Sequence, residues 1–167
     1  MKMRTESDFL GSIQLDDDAL YGINTARAID NFSISKRTVH KELIYELLML
    51  KKAAAIANCD SGFLSSDISD YIVSACDMLA DDIDMAMFPT DALQGGAGTS
   101  LNMNVNEVVC NKALLLAGRK IGDYSYIDPI DHVNLNQSTN DIFPTAVRIA
   151  SIKIIRKLSD ACAELQN

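Results

Sequence analysis

The sequence predicts a mainly α-helical domain, and three observations carry that expectation. Apolar residues recur at spacings of three and four through four long stretches. Those stretches are rich in Ala, Leu, Ile and Met, which favour helices. Chain-breaking residues are sparse, with 8 Gly and 3 Pro in 167 residues. A hydrophobic content of 48% with 23% charged residues suits one soluble domain with a sizeable core.

The first 36 residues read as an irregular arm, with extended pieces around Ser12 to Leu15, an acidic run at Asp16 to Asp18 and a turn at Tyr21-Gly22. Arg27 in this arm is either a surface residue or a charge offered to a ligand. From about Thr38 to Asn58 a helix is expected, with Leu43, Leu47, Leu50, Ala54 and Ala57 facing the core and Ile44 and Leu48 widening the stripe. Asp60-Ser61-Gly62 ends it. Ser65 or Ser66 caps a second helix, whose inner face carries Ile68, Ile72, Ala75, Cys76, Leu79, Ile83 and Met87 and which runs to the Phe88-Pro89-Thr90 break. Its aspartates Asp67, Asp70, Asp77, Asp81 and Asp84 form a solvated face; an acid/base pair among them would need a nearby His or Lys, and none is close in sequence.

Gln94 to Asn111, QGGAGTSLNMNVNEVVCN, is the stretch that an ordinary helical domain does not require. Gly95, Gly96 and Gly98 free the backbone for positive φ and close approach, and Thr99 and Ser100 stand where a helix begins. Asn102, Asn104 and Asn106 follow, although asparagine competes for backbone hydrogen bonds and weakens a helix interior. Two readings remain open. The segment is either a glycine loop with a plain hydroxyl cap, or an anion site built from unpaired N–H groups, the helix dipole and the two hydroxyls. The helix itself, about Asn102 to Ala117, turns Val105, Val108, Val109, Ala113, Leu116 and Ala117 inward and stops at Gly118.

Gly122 to Gln137 reads as irregular, and His132 within it as a hydrogen-bonded structural residue. A second polar cluster, Gln137 to Asp141, precedes the last helix, about Asp141 to Leu165. Pro144 costs no intrahelical bond within the first turn, so the N-cap is expected near Asp141, with Ser138, Thr139 and Asn140 on the approach loop. About 25 residues make a rod of roughly 37 Å. Phe143, Val147, Ala150, Ile154, Leu158, Ala161 and Leu165 lie on one side and Ile142, Ile149, Ile152 and Ile155 on a second, so the helix needs partners that this chain does not supply. The stop at Asn167 without a cap or tail reads as a cut within a longer protein.

The formal charge of −8 excludes a basic nucleic-acid face, so an anionic ligand must be held by local donors. Cys59, Cys76, Cys110 and Cys162 lie far apart without a C-x-x-C pair, and read as buried free thiols rather than a metal site or disulfide framework. The N-terminus lacks an apolar leader segment, and no apolar run is long enough to span a membrane. The expected compartment is the cytoplasm.

Three blocks, YGINTARAIDNFSIS, FPTDALQGGAGTSLNMNVNEVVCN and HVNLNQSTNDIFPTA, resemble, in order, the N-terminal third of the aspartase/fumarase superfamily. GAGTS and QSTND are similar to the ammonia-lyase branch, whereas fumarases tend to show GSGTQ and QSSND and carry a histidine where this chain has Asp128. Asp16 and Ser33 depart from prolines of the family pattern but leave both polar loops intact. The resemblance implies an N-terminal domain over 1–138 and the start of a central helical bundle over 139–167. It implies ammonia elimination from L-aspartate to give fumarate through an aci-carboxylate intermediate, with class II fumarase or another lyase of the superfamily as the alternative.

By the same resemblance Thr99, Ser138, Thr139 and Asn140 bind substrate, with Ser100 and Asn102 supporting the loop. No cofactor and no metal are implied. The family's GSSxMPxKxN loop, with its serine base and substrate-binding lysine, would lie beyond residue 167, so no catalytic residue is expected within this chain. The implied partners are a small-molecule substrate and three further copies in a homotetramer whose site is shared among subunits; nucleic acid and membrane are not among them. A different class of function, a non-catalytic helical module that oligomerises through its last helix, predicts polar loops that tolerate alanine.

Overall fold

The structure, a computed structural model, describes residues 2–166; the expectation about a stop at Asn167 lies outside them. It is mainly α, as expected. β1 (Met3–Asp8) and β2 (Gly11–Asp16) form an antiparallel hairpin, followed by helices α1 (Ile23–Asn31), α2 (Lys41–Asp60), α3 (Ser66–Asp81), α4 (Thr99–Leu116) and α5 (Thr139–Gln166). A single 3-10 turn, Met85–Met87, follows α3, and one π turn, Pro129–Val133, precedes α5.

The arm is therefore not irregular. Met3 pairs with Asp16 and Asp8 with Gly11, leaving Phe9-Leu10 as a two-residue turn; Gly11 takes φ +118 there. β2 matches the extended piece expected around Ser12 to Leu15, where Ile13 and Leu15 alternate with polar residues; β1, with Met3 as its one apolar residue, is the strand that the sequence pattern hides. Arg4 holds the hairpin instead, giving hydrogen bonds to the carbonyls of Asp16 (2.6 Å), Ala19 (2.8 Å) and Tyr21 (2.7 Å). Helix α1 begins on distant carboxylates: Glu6 Oε2 accepts from Ile23 N at 2.9 Å. Glu107, on α4, accepts from the backbone N–H groups of Gly22, Asn24 and Thr25 and from the Asn24 and Thr25 side chains. Negative charge at a helix start is favourable, yet nothing local in the sequence announces it. A Cβ on Gly22 would lie 2.7 Å from the Tyr124 hydroxyl and 2.9 Å from Glu107 Cδ, so the approach requires glycine.

Arg27, on α1, donates to Asp8 Oδ2 at 2.7 Å and Oδ1 at 2.5 Å, and to the Gly11 carbonyl. Its charge clamps the hairpin to α1.

The core lies between α2, α3 and α4, around Ile44, Leu47, Leu48, Ile72, Cys76, Phe88, Leu101, Val105 and Val108. Each such large side chain contributes about 1.5–3 kcal/mol on burial. On α2 the buried residues are Ile44, Glu46, Leu47, Leu48, Lys51, Ala55 and Asn58, while Ala57 is exposed. Ile44, Leu47 and Leu48 are buried as expected, and Leu43 and Leu50 pack against the core. The stripe departs from the expectation towards the end of the helix: positions 44, 48, 51, 55 and 58 repeat in the same fours and threes, and Lys51, Ala55 and Asn58 are buried there in place of Ala54 and Ala57. Helix α3 ends at Asp81, earlier than the Phe88-Pro89 break, because Asp84 accepts the Ala86 N–H and starts the 3-10 turn. Ile83 is still buried beyond the helix end.

Helix α4 is buried nearly all round. Asn102, Asn104, Asn106, Glu107 and Asn111 are as inaccessible as its valines, whereas Leu116, expected inside, is exposed. Gly118 takes φ +70 just past the helix end, as a C-terminal glycine does.

Helix α5 starts at Thr139, with Pro144 inside it, so the expected N-cap at Asp141 is corrected. Ser138 occupies the cap: its Oγ accepts the Asn140 N–H at 3.2 Å, and its carbonyl accepts from Asp141 and Ile142. Pro144 has no N–H for the Asn140 carbonyl, and the helix continues past this gap. Only Ala146 and Ala150 of α5 are buried. Beyond them the helix projects, touching α2 through Lys153 and Lys157, which pair with Glu46 and Glu42, and leaving Ile152, Ile155, Leu158 and Leu165 exposed. Cys162, expected to be buried, is exposed on this projecting part.

Candidate functional site

The glycine stretch is anchored from behind before it turns into α4. Asp91 accepts the N–H groups of Ile34, Ser35 and Lys36 and the Ser35 hydroxyl; the Ser35 bond and these backbone donors hold its carboxyl well below the usual carboxylate range. Gln94 Nε2 donates to the Asp91 carbonyl at 3.0 Å, and Gln94 Oε1 accepts the Leu101 N–H at 2.8 Å, capping α4. Gly98 enters the helix in the left-handed region, φ +81. A Cβ there would also collide with the ring of Phe143, on α5. Glycine at 98 thus lets the start of α4 lie directly against the first turns of α5.

A side-chain bond closes the same gap. Asn102 Nδ2, in the first turn of α4, donates to Thr139 Oγ1 at 3.2 Å and to Asn134 Oδ1 at 3.1 Å. Two helix N-termini, each carrying a partial positive charge, are thereby brought side by side. Thr99 and Asn140 are exposed, and neither side chain has a hydrogen-bond partner among the described residues. Ser138 is exposed and Thr139 half-buried. The four residues singled out from the sequence lie at the starts of these two helices. Thr139 is joined to α4 through Asn102, and Thr99 stands one turn before Asn102 on the same face. Ser100, on the same turn, is half-buried.

Behind this surface is a group that the sequence reading passed over. Lys51 is fully buried, and its Nζ donates to Asn134 Oδ1 at 2.8 Å and to Gln137 Oε1 at 2.9 Å. Asn106 Nδ2 reaches the same Asn134 oxygen at 3.2 Å. Among the described residues no carboxylate pairs with Lys51, and burial pushes its amine down to about 7. The Oδ1 atoms of Asn102 and Asn106 are buried without a donor. The available signal was the alternative α2 stripe, in which Lys51 and Asn58 stand seven residues apart on the core face.

His132 lies outside this cluster. Its Nδ1 accepts the Asp128 N–H at 2.9 Å, and Asp128 Oδ1 accepts from Ile130 and Asp131, so the pair closes the π turn. Among the described residues there is no group of His, Cys, Asp and Glu side chains arranged to hold a metal ion. The donors at the two helix starts are hydroxyls, amides and backbone N–H groups, with a buried amine behind them, a set suited to stabilising negative charge on a small acid.

Residues 11–167 match the family model described as Lyase. The chain is 46% identical to an aspartate ammonia-lyase of Bacillus sp over 98% of its own length, and 48% identical to that of Bacillus subtilis over 93%. It is 41% identical to a class II fumarate hydratase of Prochlorococcus marinus over 91%. These alignments cover 33–35% of the relatives, so the chain spans about a third of their length. Among solved structures, a fumarate lyase:delta crystallin from Brucella melitensis superposes with a TM-score of 0.86 at 48% identity, covering 89% of this chain and 35% of that one. A class II fumarase from Schistosoma mansoni gives 0.80 at 39%, covering 89% and 32%. A family match over nearly the whole chain, joined to the same fold in solved relatives, places this chain in the lyase family of the aspartase/fumarase superfamily.

Proposed function

We propose that this chain acts as the N-terminal third of an aspartate ammonia-lyase, eliminating ammonia from L-aspartate to give fumarate. The observation that supports it best is the pairing of two donor-bearing helix starts across Asn102 and Thr139, with Thr99 and Asn140 exposed beside it. Removing the Cβ proton of aspartate builds charge on the neighbouring carboxylate as the aci-carboxylate forms. Preorganised hydroxyl, amide and backbone donors stabilise that charge in the transition state more than in the ground state. Thr99, Ser138, Thr139 and Asn140 are the substrate-binding residues of this reading, holding carboxylate oxygens or the α-amino group. The serine base comes from the two thirds of the relatives' length that this chain does not span.

In the same reading residues 1–138 form the N-terminal domain and 139–167 the first part of the central bundle. The apolar side chains of α5 exposed at Ile152, Ile155, Leu158 and Leu165 pack against other bundle helices of a cytoplasmic homotetramer. No helix of the described residues is long and apolar enough to cross a membrane. Class II fumarase is the second reading, favoured by the 41% identity to such an enzyme, because a site of neutral donors serves malate by the same chemistry.

Ultraviolet detection of fumarate formed by the full-length protein decides between them. Fumarate from L-aspartate and not from L-malate supports the proposal, the reverse supports fumarase, and neither product supports the oligomerisation module.

A further inference from the structure

Helix α2 turns two polar residues, Lys51 and Asn58, into the interior on one face, two turns apart. Both grip the segment that leads into α5. Lys51 holds the side-chain oxygens of Asn134 and Gln137; Asn58 Nδ2 donates to the Leu135 carbonyl at 2.9 Å, and Asn58 Oδ1 accepts from Asn136 Nδ2 at 2.9 Å. Inside the segment, Gln137 Nε2 donates to the Val133 carbonyl at 2.8 Å and Asn134 Nδ2 to the Gln137 carbonyl at 3.1 Å. Asn136 sits in the left-handed region, φ 57, which asparagine adopts more readily than other residues with a side chain. Asn134, Asn136 and Gln137 are thus tied to α2 by their side chains and Leu135 by its carbonyl, and Ser138, Thr139 and Asn140 follow directly in the chain.

We infer that Lys51 is a positioning residue: from its buried seat on α2 it fixes Asn134 and Gln137, and through them sets the start of α5 against α4. The inference rests on the reading of Thr139 and Asn140 as substrate donors. Burying an amine with no carboxylate partner costs stability, and an apolar residue of similar length would fill the same space. A lysine serving packing alone is therefore a poor solution, whereas a donor that reaches two amide oxygens of one segment at once is what orders that segment. Asn134 Oδ1 collects Lys51, Asn102 and Asn106, so the same oxygen couples α2, α4 and the approach to Thr139. Burial lowers the Lys51 amine, in keeping with a group that acts through its hydrogen bonds.

The test uses the full-length protein with Lys51→Met, Gln137→Met and the double variant. Fumarate formation is read per folded protomer, and hydrogen exchange of the backbone amides of residues 138–141 by mass spectrometry. The expected result is a loss of at least tenfold in kcat with KM changed less than threefold, and exchange at 138–141 accelerated at least tenfold. The double variant should be no worse than the worse single one. Unchanged exchange in Lys51→Met overturns the inference whatever the activity does, and so does a kcat within threefold of the unmodified protein. Should Lys51→Met not fold, Gln137→Met carries both readouts with the same thresholds. If the unmodified protein forms no fumarate, the lyase reading fails by itself, and the exchange measurement alone decides whether Lys51 orders the segment.

Discussion

Asn102 on α4 and Thr139 on α5 meet at 3.2 Å, the amide donating to the hydroxyl. This contact joins two helix starts through residues 37 apart in sequence. It makes one surface of two segments that each look like an ordinary cap, and Gly98 permits it by leaving room for Phe143.

The side chains of Thr99 and Asn140 have no hydrogen-bond partner among the described residues and are exposed, so their removal should cost turnover and not stability. In the full-length enzyme Thr99→Ala or Asn140→Ala should lower kcat by on the order of 10²–10³, the worth of one well-placed donor, with Tm nearly unchanged. Steady-state kinetics beside a thermal melt checks both halves; a loss below about threefold counts against these residues as substrate donors.

Asn102→Ala removes a buried amide that reaches both Asn134 and Thr139. It should destabilise by about 1–3 kcal/mol and also slow turnover, because Thr139 loses its tether. Urea unfolding with kinetics on the same sample separates this from Thr99→Ala, which should affect turnover alone.

Glu107 accepts five hydrogen bonds around the start of α1. Burial pushes its carboxyl above the ordinary range, against the pull of the Thr25, Gly22 and Asn24 donors. All five partners donate, so Glu107→Gln turns an acceptor into an NH2 group facing N–H groups. A loss of about 2–4 kcal/mol is expected, read as a lower denaturant midpoint. A midpoint equal to that of the unmodified chain would contradict the capping role.

Lys51 gives the fold a pH dependence of known sign. Its amine lies at about 7 in the folded chain against an ordinary 10.5, so between these values the unfolded state holds the extra proton. Stability then rises with pH through that window, by at most about 1.4 kcal/mol per unit, and the penalty is fully present below about pH 7. Burial raises the thiols of Cys76, to about 12, and Cys110 above their ordinary 9.0, which lowers stability above that pH. The Lys51 effect is thus cleanest between about pH 7 and 9. Urea midpoints across that range should climb in the unmodified protein and stay flatter in Lys51→Met; equal slopes would contradict a depressed amine.

The sequence made the helices legible because period and composition agree along α3, α4 and α5, and hydroxyls gathered at both helix starts marked the two polar clusters, within which the family resemblance picked out Thr99 and Thr139. What it hid depends on contacts distant in the chain. Helix α1 is capped by Glu107 and Glu6, one of them 82 to 85 residues away, and the hairpin is held by two arginines, Arg4 and Arg27, rather than by an apolar face. On α2 hydropathy found Ile44, Leu47 and Leu48 but passed over Lys51 and Asn58, because polar residues are not expected on a core face; those two side chains hold the segment before Ser138. Pro144 misled in the opposite direction: a proline allowed only in the first turn moved the expected start of α5 to Asp141, while the helix tolerates it a turn later and takes Thr139 and Asn140 into its opening turn.

The claim that the two helix starts together hold a dicarboxylate is tested most directly by a crystal structure of the full-length protein with succinate, a four-carbon diacid that cannot eliminate. The account predicts succinate oxygens within hydrogen-bond distance of Thr99 Oγ1 and of Thr139 or Asn140 in one continuous cavity. Succinate bound elsewhere, or the Thr99 and Thr139 hydroxyls opening into separate cavities, would contradict it.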